Sequence, residues 1–172
     1  MLSRALYIPV ILGTIRQGRL SAHVAKLIRE ELSKRSEVDT DAIDIATLPL
    51  RTDDAGEAIK DSAFSSRMER ADGLVIVAPE YNHGYPGLLK HVTDSCLKEY
   101  IHKAAGIVGV SAGPFGATRV IENPLPVMRE LGLVTIFCDV NFSSVQKAFD
   151  TSGKLLDDSY LRRIHKFLAE LV

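Results

Sequence analysis

The chain has 172 residues, and its 21 Lys and Arg against 22 Asp and Glu give a formal net charge of −1. This near-neutral balance gives no electrostatic basis for binding nucleic acid or a membrane surface, and it argues against a small acidic electron carrier. Hydrophobic residues make up 46% of the sequence, but no apolar run approaches the ~20 residues that span a bilayer. The length fits a single domain, which we predict over residues 1–172.

The first apolar run predicts a buried strand rather than a secretion signal. Ile8–Leu12 is apolar and stops at Gly13, and no small-residue cleavage pattern follows it. Pro9 has no N–H, so we expect it at the start of the strand pairing. The two cysteines, Cys96 and Cys138, have neither a metal-binding nor a redox spacing. We therefore expect a cytoplasmic protein without a metal site.

Short apolar runs alternate with stretches of helical period along the rest of the chain. Four further strands are predicted at Ala42–Ile45, Leu74–Ala78, Ile107–Val110 and Val134–Val140. Helices are predicted at Leu20–Leu32, at Ile59–Arg70, from Pro86, from Ala117, and around Leu161–Leu171. The helix from Ala117 meets Pro124 and Pro126, so we expect it to break there. Residues 149–158, which contain Gly153, are predicted to be an irregular excursion before the last helix.

Five strands alternating with five helices are typical of a doubly wound α/β sheet with helices on both faces. Right-handed crossovers leave few arrangements for this count, and the simplest is a flavodoxin-like parallel sheet of order 2-1-3-4-5. In that order a ligand lies beyond the carboxyl ends of strands one and three, where the direction of winding reverses. The loops after strands one, three and four therefore form the candidate site.

The first of these loops runs from Gly13 to Ser21 as GTIRQGRLS. A helix amino terminus presents unpaired N–H groups and a partial positive charge, which suit a phosphate. Thr14 and Ser21 can donate hydroxyl hydrogen bonds, and Arg16 and Arg19 can neutralise a dianion. In the alternative interpretation, Ser21 only caps the helix and the arginines are solvated. The spacing is neither that of a Walker loop nor that of a dinucleotide Gly-x-Gly-x-x-Gly motif.

The loop after the third strand, PEYNHGYPG from Pro79 to Gly87, combines two tyrosines, a histidine and an asparagine. Its proline and glycine residues indicate a tight path with exposed backbone amides, which can hydrogen-bond the edge of a flat heteroaromatic ring. Tyr81 or Tyr85 can pack on such a ring, although an ordinary turn before Pro86 explains part of the pattern. The loop after the fourth strand, SAGPFGATR from Ser111, brings two more glycines to a helix entrance at the same edge.

Together the three loops resemble the NAD(P)H-dependent FMN reductase family, which includes chromate, quinone and azo-dye reductases. GTIRQGRLS is similar to the family's phosphate-binding G-S/T-x-R-x-x-S segment. PEYNHGYPGLLKHVTD is similar to its ring-binding P-E-Y-N-x-x-x-P-G-x-L-K-N-x-I-D stretch, and SAGPFGATR to its S-x-G-x-x-G-x-R loop. His91 and Ser95 stand where members usually have Asn and often have Trp. We expect both positions at a subunit interface or in helix packing.

The resemblance implies an FMN site formed by all three loops. In the first loop the implied cofactor-binding residues are Gly13, Thr14, Arg16, Arg19, Leu20 and Ser21. In the second they are Pro79, Glu80, Tyr81, Asn82, His83 and Gly84, and in the third Ser111, Ala112 and Gly113. The phosphate is assigned to the first loop and the ring to the other two. Members usually form homodimers or homotetramers, so the resemblance implies one of these assemblies.

The implied activity is a two-step oxidoreduction. Hydride passes from NADPH or NADH to the bound FMN, and electrons then pass to a quinone, free flavin, azo compound or similar small acceptor. The flavin carries this chemistry, so no catalytic side chain is expected. The alternative is a non-enzymatic FMN-binding redox sensor or electron carrier. A phospho-acceptor signalling domain of the same fold is excluded, because Thr14 and Pro79 occupy positions where it needs acidic residues.

Overall fold

The computed structural model describes residues 4–172, so the first three residues of the predicted domain lie outside the described range. The strands are β1 (Leu6–Tyr7), β2 (Val10–Leu12), β3 (Val38–Asp39), β4 (Ala42–Asp44), β5 (Gly73–Pro79), β6 (Ala104–Val110), β7 (Val134–Thr135) and β8 (Val140–Phe142). The helices are α1 (Ser21–Ser33), α2 (Ser62–Arg70), α3 (Gly87–Thr93), α4 (Thr118–Glu122), α5 (Leu125–Glu130) and α6 (Ser159–Leu171). Short 3-10 helices lie at Ile45–Thr47, Gly56–Ile59 and Val145–Lys147.

The strands pair in parallel, six of them in a main sheet and two in a small one. The order across the main sheet is β4-β2-β5-β6-β7, with β8 also paired to β6, and β1 pairs with β3. The predicted α/β class is confirmed. Within residues 4–172 the structure has eight strands rather than five. The predicted segment Val134–Val140 is broken into β7 and β8, and β1 and β3 lie before the predicted segments at Ile8–Leu12 and Ala42–Ile45. Counted as continuous segments, they follow the predicted order 2-1-3-4-5.

Pro9 breaks the first segment rather than beginning it. β1 lies before Pro9 and pairs with β3, whereas β2 lies after it and pairs with β4 and β5. The expectation that Pro9 stands at the start of the pairing is therefore wrong. Proline has no N–H to donate to the ladder, but the Pro9 carbonyl accepts from the Val75 N–H at 3.0 Å. Ile8 and Val10 on either side still donate to the neighbouring segment, so the chain stays extended through the break.

The last segment of the sheet is also broken, between β7 and β8. The Ile136 N–H still donates to the Ala105 carbonyl at 3.0 Å. The next two N–H groups, those of Phe137 and Cys138, donate instead to the Glu170 carboxylate of α6 at 2.6 and 3.0 Å. The strand predicted as continuous here is therefore two short strands, with an α6 carboxylate bound to the amides between them.

Side chains that alternate along the strands fill two cores, one on each face of the sheet. Val10 and Leu12 of β2 pack with residues of α1 and α6, whereas Ile11 between them packs with residues of α2 to α5. β5 and β6 are buried along almost their whole length. Apolar strands buried on both faces must be covered on both sides. The predicted covering by helices on both faces is confirmed, and the loops lie at the ends of the strands.

The predicted helices are present, with shifted bounds. α4 and α5 replace the single helix predicted from Ala117, and Pro124 lies at the break between them. α2 begins three residues later than predicted and is capped by Asp61, whose carboxylate accepts from the Phe64 N–H at 2.8 Å. Pro86 is the cap residue of α3. None of the helices within residues 4–172 is long and apolar enough to cross a membrane.

Candidate functional site

A cleft of about 350 Å³ opens at the carboxyl edge of the sheet, between the loops after β2, β5 and β6. Its volume is in the range of small-ligand sites. The predicted residues that line it are Arg16, Arg19, Leu20, Ser21, Pro79, Glu80, Tyr81, Ser111 and Ala112. The cleft is also lined by residues that the sequence did not indicate, namely Gln17, Gly18, Val110, Val145 and Gln146. The three loops therefore meet at the predicted edge.

The first loop presents a row of backbone donors to this cleft. Among the described residues, no protein atom accepts a hydrogen bond from the consecutive N–H groups from Gln17 to Ser21. Gly18 has a φ of +63°, a conformation that glycine adopts at little cost. α1 has 13 residues and begins at Ser21, so the positive end of its dipole adds to these donors. Such an arrangement suits an anionic group, a phosphate above all.

Ser21 carries a buried hydroxyl group that the protein does not satisfy. The residue is 3% exposed, and its Oγ has no hydrogen-bond partner within residues 4–172. The cap position of α1 is held by Leu20, and no side chain caps this helix end. The alternative interpretation, in which Ser21 only caps α1, is therefore wrong. A buried hydroxyl without a partner costs free energy, and an acceptor on a ligand in the cleft would recover it.

The two arginines of the first loop differ in their partners. Arg19 forms an ion pair with Asp44, the last residue of β4, so the charge of Arg19 is compensated inside the protein. Arg16 is exposed, lines the cleft and makes no ion pair in the part of the chain that the structure describes. Arg16 is therefore the cation available to a ligand, while Arg19 ties the loop to the neighbouring strand.

Thr14 connects the first loop to the second. It is 2% exposed, and its Oγ1 shares a hydrogen bond of 2.8 Å with the Tyr81 hydroxyl. Both residues line a second, mainly apolar depression of about 300 Å³ beside the cleft, together with Arg16, Pro86 and Leu88. Arg16 and Tyr81 line the cleft as well, so they lie at the boundary between the two depressions.

Asn82 and His83 form the tip of a tight turn in the second loop. The backbone groups of Tyr81 and Gly84 exchange two hydrogen bonds of 2.8 and 3.0 Å. Asn82 and His83 have φ values of +49° and +68°, as a type I′ turn requires. Both are exposed, and neither lines the cleft. Their N–H groups donate to no acceptor within residues 4–172, so the turn presents free amides without bringing the imidazole to the cleft wall.

Three predicted glycines lie outside the lining of the cleft. The Gly13 N–H donates to the Val77 carbonyl at 2.9 Å, and a Cβ on Gly13 would approach Leu89 to 2.8 Å. Gly13 therefore lets α3 pack closely against the end of β2. Gly84 closes the turn described above, and a Cβ on Gly113 would meet nothing within 4 Å.

The third loop is held in place by the segment that follows β8. The Ser111 Oγ donates to the Gly113 carbonyl at 2.9 Å, so this hydroxyl is engaged within its own loop. The Gln146 side chain donates to the Ala112 carbonyl at 3.2 Å, and Val145 lines the cleft beside it. No motif marks Val145 or Gln146. Their position directly after the last strand of a parallel sheet is the signal that could have indicated them.

Glu80 has one paired and one unpaired carboxylate oxygen. Its Oε1 accepts from Arg119 Nη1 of α4 at 3.0 Å, whereas its Oε2 is buried and has no partner among the described residues. The Glu80 side chain is 11% exposed and that of Arg119 is 41% exposed. The Glu80 N–H donates to the Val110 carbonyl at 2.9 Å, which continues the pairing of β5 with β6 and fixes the backbone at the cleft.

The two positions that depart from the resembled family lie near backbone carbonyl oxygens of the chain. His91 Nε2 lies 2.6 Å from the Arg51 carbonyl oxygen. Ser95 is 4% exposed, and its Oγ donates to the Val92 carbonyl at 2.7 Å. Both side chains are thus engaged by the chain's own backbone.

The family model described as NADPH-dependent FMN reductase matches residues 6–147 of the chain. The chain belongs to this family. An NAD(P)H-dependent FMN reductase of Pseudomonas aeruginosa is 32% identical over 143 residues, which cover 74% of each chain. A 2-hydroxy-1,4-benzoquinone reductase of Burkholderia sp is 32% identical over 172 residues, which cover 95% of this chain and 93% of the relative.

Among solved structures, the flavoenzyme NAD(P)H:(acceptor) oxidoreductase FerB of Paracoccus denitrificans has a TM-score of 0.79 at 21% identity. The match covers 97% of this chain and 95% of that one, and it supports the fold. Family membership makes the chain an oxidoreductase with FMN as cofactor and NAD(P)H as reductant. The free amides and the buried Ser21 hydroxyl at the cleft fit the phosphate of that cofactor.

Proposed function

We propose that the cleft binds FMN with its phosphate at the amino terminus of α1 and its ring against the loops after β5 and β6. The observation that carries this placement is the row of free N–H groups from Gln17 to Ser21, together with the unsatisfied Ser21 hydroxyl. Arg16 supplies the positive charge that a phosphate dianion needs, because Arg19 is paired with Asp44. Thr14 acts indirectly, since its hydroxyl orients Tyr81.

The chain's own residues bind, orient and shield the cofactor on this proposal. In the second loop Pro79, Glu80 and Tyr81 line the ring, and the free amides of Asn82 and His83 are donors near its edge. In the third loop Ser111 and Ala112 cover the far side of the ring. FMN, once bound, supplies the two-electron chemistry that takes electrons from NAD(P)H and delivers them to an acceptor. No side chain is required as a nucleophile.

We infer that the acceptor is a small quinone-like molecule. The Burkholderia relative, which matches nearly the whole chain, is named a 2-hydroxy-1,4-benzoquinone reductase. The apolar depression lined by Thr14, Ile15, Tyr81 and Leu88 adjoins the cleft and offers a surface for a flat, weakly polar ring. Free flavins, azo compounds and oxidised metal ions are the competing acceptors. Each can be added to the reduced protein after the anaerobic titration described below.

We also propose that the protein works in the cytoplasm as a homodimer or homotetramer. Both cysteines are free thiols, which fits a reducing compartment. Large apolar side chains are exposed at Ile15, Leu97 and Ile101, to 44%, 48% and 46%, and exposed apolar surface favours association. Light scattering on a sizing column measures the mass, and a monomer at micromolar concentration would contradict this part of the proposal.

An anaerobic absorbance titration tests the function itself. Protein loaded with FMN is titrated first with NADPH and then, in a fresh sample, with NADH. Loss of the flavin absorbance band near one equivalent of either nucleotide is the expected result, and its speed identifies the preferred donor. A band that persists with both nucleotides would instead support the alternative of a redox sensor or carrier. Failure to bind FMN would refute both.

A further inference from the structure

Gln146 lies in the segment after β8 (residues 143–147) and joins this segment to the third loop. Its side-chain amide donates to the Ala112 carbonyl at 3.2 Å, and both residues line the cleft. We propose that Gln146 is a positioning residue, which fixes the peptide between Ala112 and Gly113 so that its N–H group donates to the ring of FMN. This inference rests on the proposed placement of FMN in the cleft. It assigns to Gln146 an effect on the redox potential of the cofactor.

The carbonyl groups at the start of the third loop are bound by the segment after β8. The Ser111 carbonyl accepts from the Val145 N–H at 3.0 Å. The Ala112 carbonyl accepts from the Gln146 side chain. By contrast, the N–H groups of Ala112 and Gly113 donate to no acceptor within residues 4–172. In this part of the loop the acceptors are therefore satisfied and the donors are free.

The directions of the two free N–H groups follow from the planar trans peptide, in which the C=O and the following N–H point in opposite directions. Because the Ala112 carbonyl points to Gln146, the Gly113 N–H points away from the segment after β8. The Ala112 N–H does the same, since the Ser111 carbonyl points to Val145. β6 lies between β5 and β8 in the sheet. Both N–H groups therefore point toward the second loop, against which we place the ring.

Gln146 is needed because Ala112 departs from strand geometry. In a parallel strand the N–H and C=O of one residue point to the same side, and those of the next residue point to the other side. Ser111 follows this pattern, since its N–H and C=O bond to β8 and to the segment after it. Ala112 does not, because its carbonyl is bound there while its N–H is free. Without the Gln146 donor, a strand-like Ala112 would turn its carbonyl toward the second loop and place an acceptor beside the ring.

Free N–H groups beside the ring favour the reduced cofactor. The ring edge of FMN has acceptors at N1, O2, O4 and N5, and reduction adds negative charge to the ring. Hydrogen bonds to a charged acceptor are stronger than those to a neutral one. The peptide held by Gln146 therefore raises the midpoint potential of bound FMN. Tenfold tighter binding of reduced relative to oxidised FMN corresponds to ~30 mV for a two-electron couple.

The midpoint potential of the protein loaded with FMN tests this effect. Gln146→Met keeps the length of the side chain but removes the donor. Reduced FMN should then lose about tenfold in affinity relative to oxidised FMN, which lowers the potential by ~30 mV. Lys147→Met is the matched control from the same 3-10 helix. Its potential should stay close to that of the wild type, because Lys147 is exposed and its charge is screened by salt.

Amide hydrogen exchange, followed by NMR, tests the direction of the peptide in the wild-type chain. The Gly113 N–H has no protein acceptor, so a hydrogen bond to the ring should slow its exchange about tenfold when FMN is added. The same protection should be smaller in Gln146→Met, since the peptide is then free to turn. Circular dichroism checks that each variant is folded. If Gln146→Met does not fold, the exchange measurement on the wild type decides.

Three outcomes would overturn the inference while the proposed function stands. They are a potential in Gln146→Met that equals or exceeds that of the wild type, an equal fall in Lys147→Met, and no protection of the Gly113 N–H by FMN. By contrast, a wild-type chain that does not bind FMN would refute the proposed function itself.

Discussion

Arg16 and Arg19 lie three residues apart but have different electrostatic surroundings, because Asp44 compensates only Arg19. We predict that Arg16→Ala weakens FMN binding about 10- to 100-fold, the range expected for a lost charge-assisted contact. Arg51→Ala is the control, since Arg51 pairs with Asp53 outside the cleft. Fluorescence quenching of FMN on titration with protein measures both dissociation constants. Equal effects of the two substitutions would contradict the assigned phosphate loop.

Glu99 is a buried carboxylate whose ionisation stabilises the fold. Although burial alone would raise its pKa, hydrogen bonds from Lys60, Ser65 and the Leu97 N–H lower the pKa to about 2. A carboxyl whose pKa is lower in the folded than in the unfolded chain adds stability above the unfolded pKa, near 4.5. That stability is lost as the pH falls from about 4.5 through 2.

We therefore predict that Glu99→Gln lowers the free energy of unfolding by about 2 kcal/mol at pH 7. The difference from wild type should shrink below pH 4.5 and nearly vanish close to pH 2. Urea denaturation at a series of pH values measures it. Glu57→Gln removes the exposed partner of the same lysine, 66% exposed, and should cost less than ~0.5 kcal/mol. A pH-independent loss would contradict the assigned ionisation.

At the level of single residues the sequence predicts which loops line the cleft better than it predicts the partners of each side chain. Thr14, Arg16 and Ser21 are all assigned to the phosphate from the sequence, but Thr14 lines the neighbouring depression rather than the cleft. The pairing of Arg19 with Asp44 could not be predicted, because it joins the ends of two segments 25 residues apart. Nor does the sequence show that the Ser21 hydroxyl lacks a partner, since this depends on how the chain before α1 turns.

Among the elements, α6 depends on one glycine in the central strand β6. A Cβ on Gly106 would clash with Cζ of Phe167, a ring that is fully buried. We predict that Gly106→Ala destabilises the protein by about 1–3 kcal/mol, the usual cost of overpacking a core. The combination with Phe167→Leu should recover part of this loss. Thermal or urea unfolding measures all three variants.

Gly87→Ala provides the control for that series, because a Cβ at Gly87 meets nothing within 4 Å. Gly87 begins α3, where alanine is a better helix former than glycine. We expect the stability of the Gly87→Ala variant to equal or slightly exceed that of the wild type. A loss at Gly87 as large as that at Gly106 would show that the effect is not due to contact with Phe167.

The elements were predicted well where burial alone defines them and poorly where hydrogen bonds divide them. β5 and β6 are apolar throughout, so their existence follows from composition. The breaks near Pro9 and at Phe137 depend on which backbone amides find hydrogen-bond partners. At Phe137 the partner is Glu170, which lies in α6 and is distant in sequence. The break of the fourth helix could be predicted, because Pro124 and Pro126 cannot donate within it.

At the scale of the whole molecule, a ligand that binds in the cleft should raise the free energy of unfolding. A ligand present at 100 times its dissociation constant adds about 2.7 kcal/mol to the free energy of unfolding. For a domain of this size that corresponds to a rise in Tm of about 5–10 °C. We predict such a rise with FMN, measured by differential scanning calorimetry, and a smaller one with riboflavin, which lacks the phosphate. Equal shifts would argue against a phosphate subsite.

The overall architecture could be predicted because alternation of elements and the right-handed crossover rule leave few topologies for five strands. That topology in turn placed three loops at one edge. What it could not supply is the fourth contribution to the cleft, from Val145 and Gln146. These residues carry no motif, and only the packing of the 3-10 helix after β8 brings them to the third loop.

The amides bound by Glu170 lie between β7 and β8, at the edge of the sheet, where unpaired backbone groups offer a template for a strand of another molecule. Two consecutive N–H groups there are already occupied by a carboxylate, and the chain between β7 and β8 departs from the ladder. A neighbouring molecule therefore finds no continuous template at this point, even though Phe137 is 90% exposed. We therefore expect the contact with Glu170 to disfavour edge-to-edge pairing with another molecule.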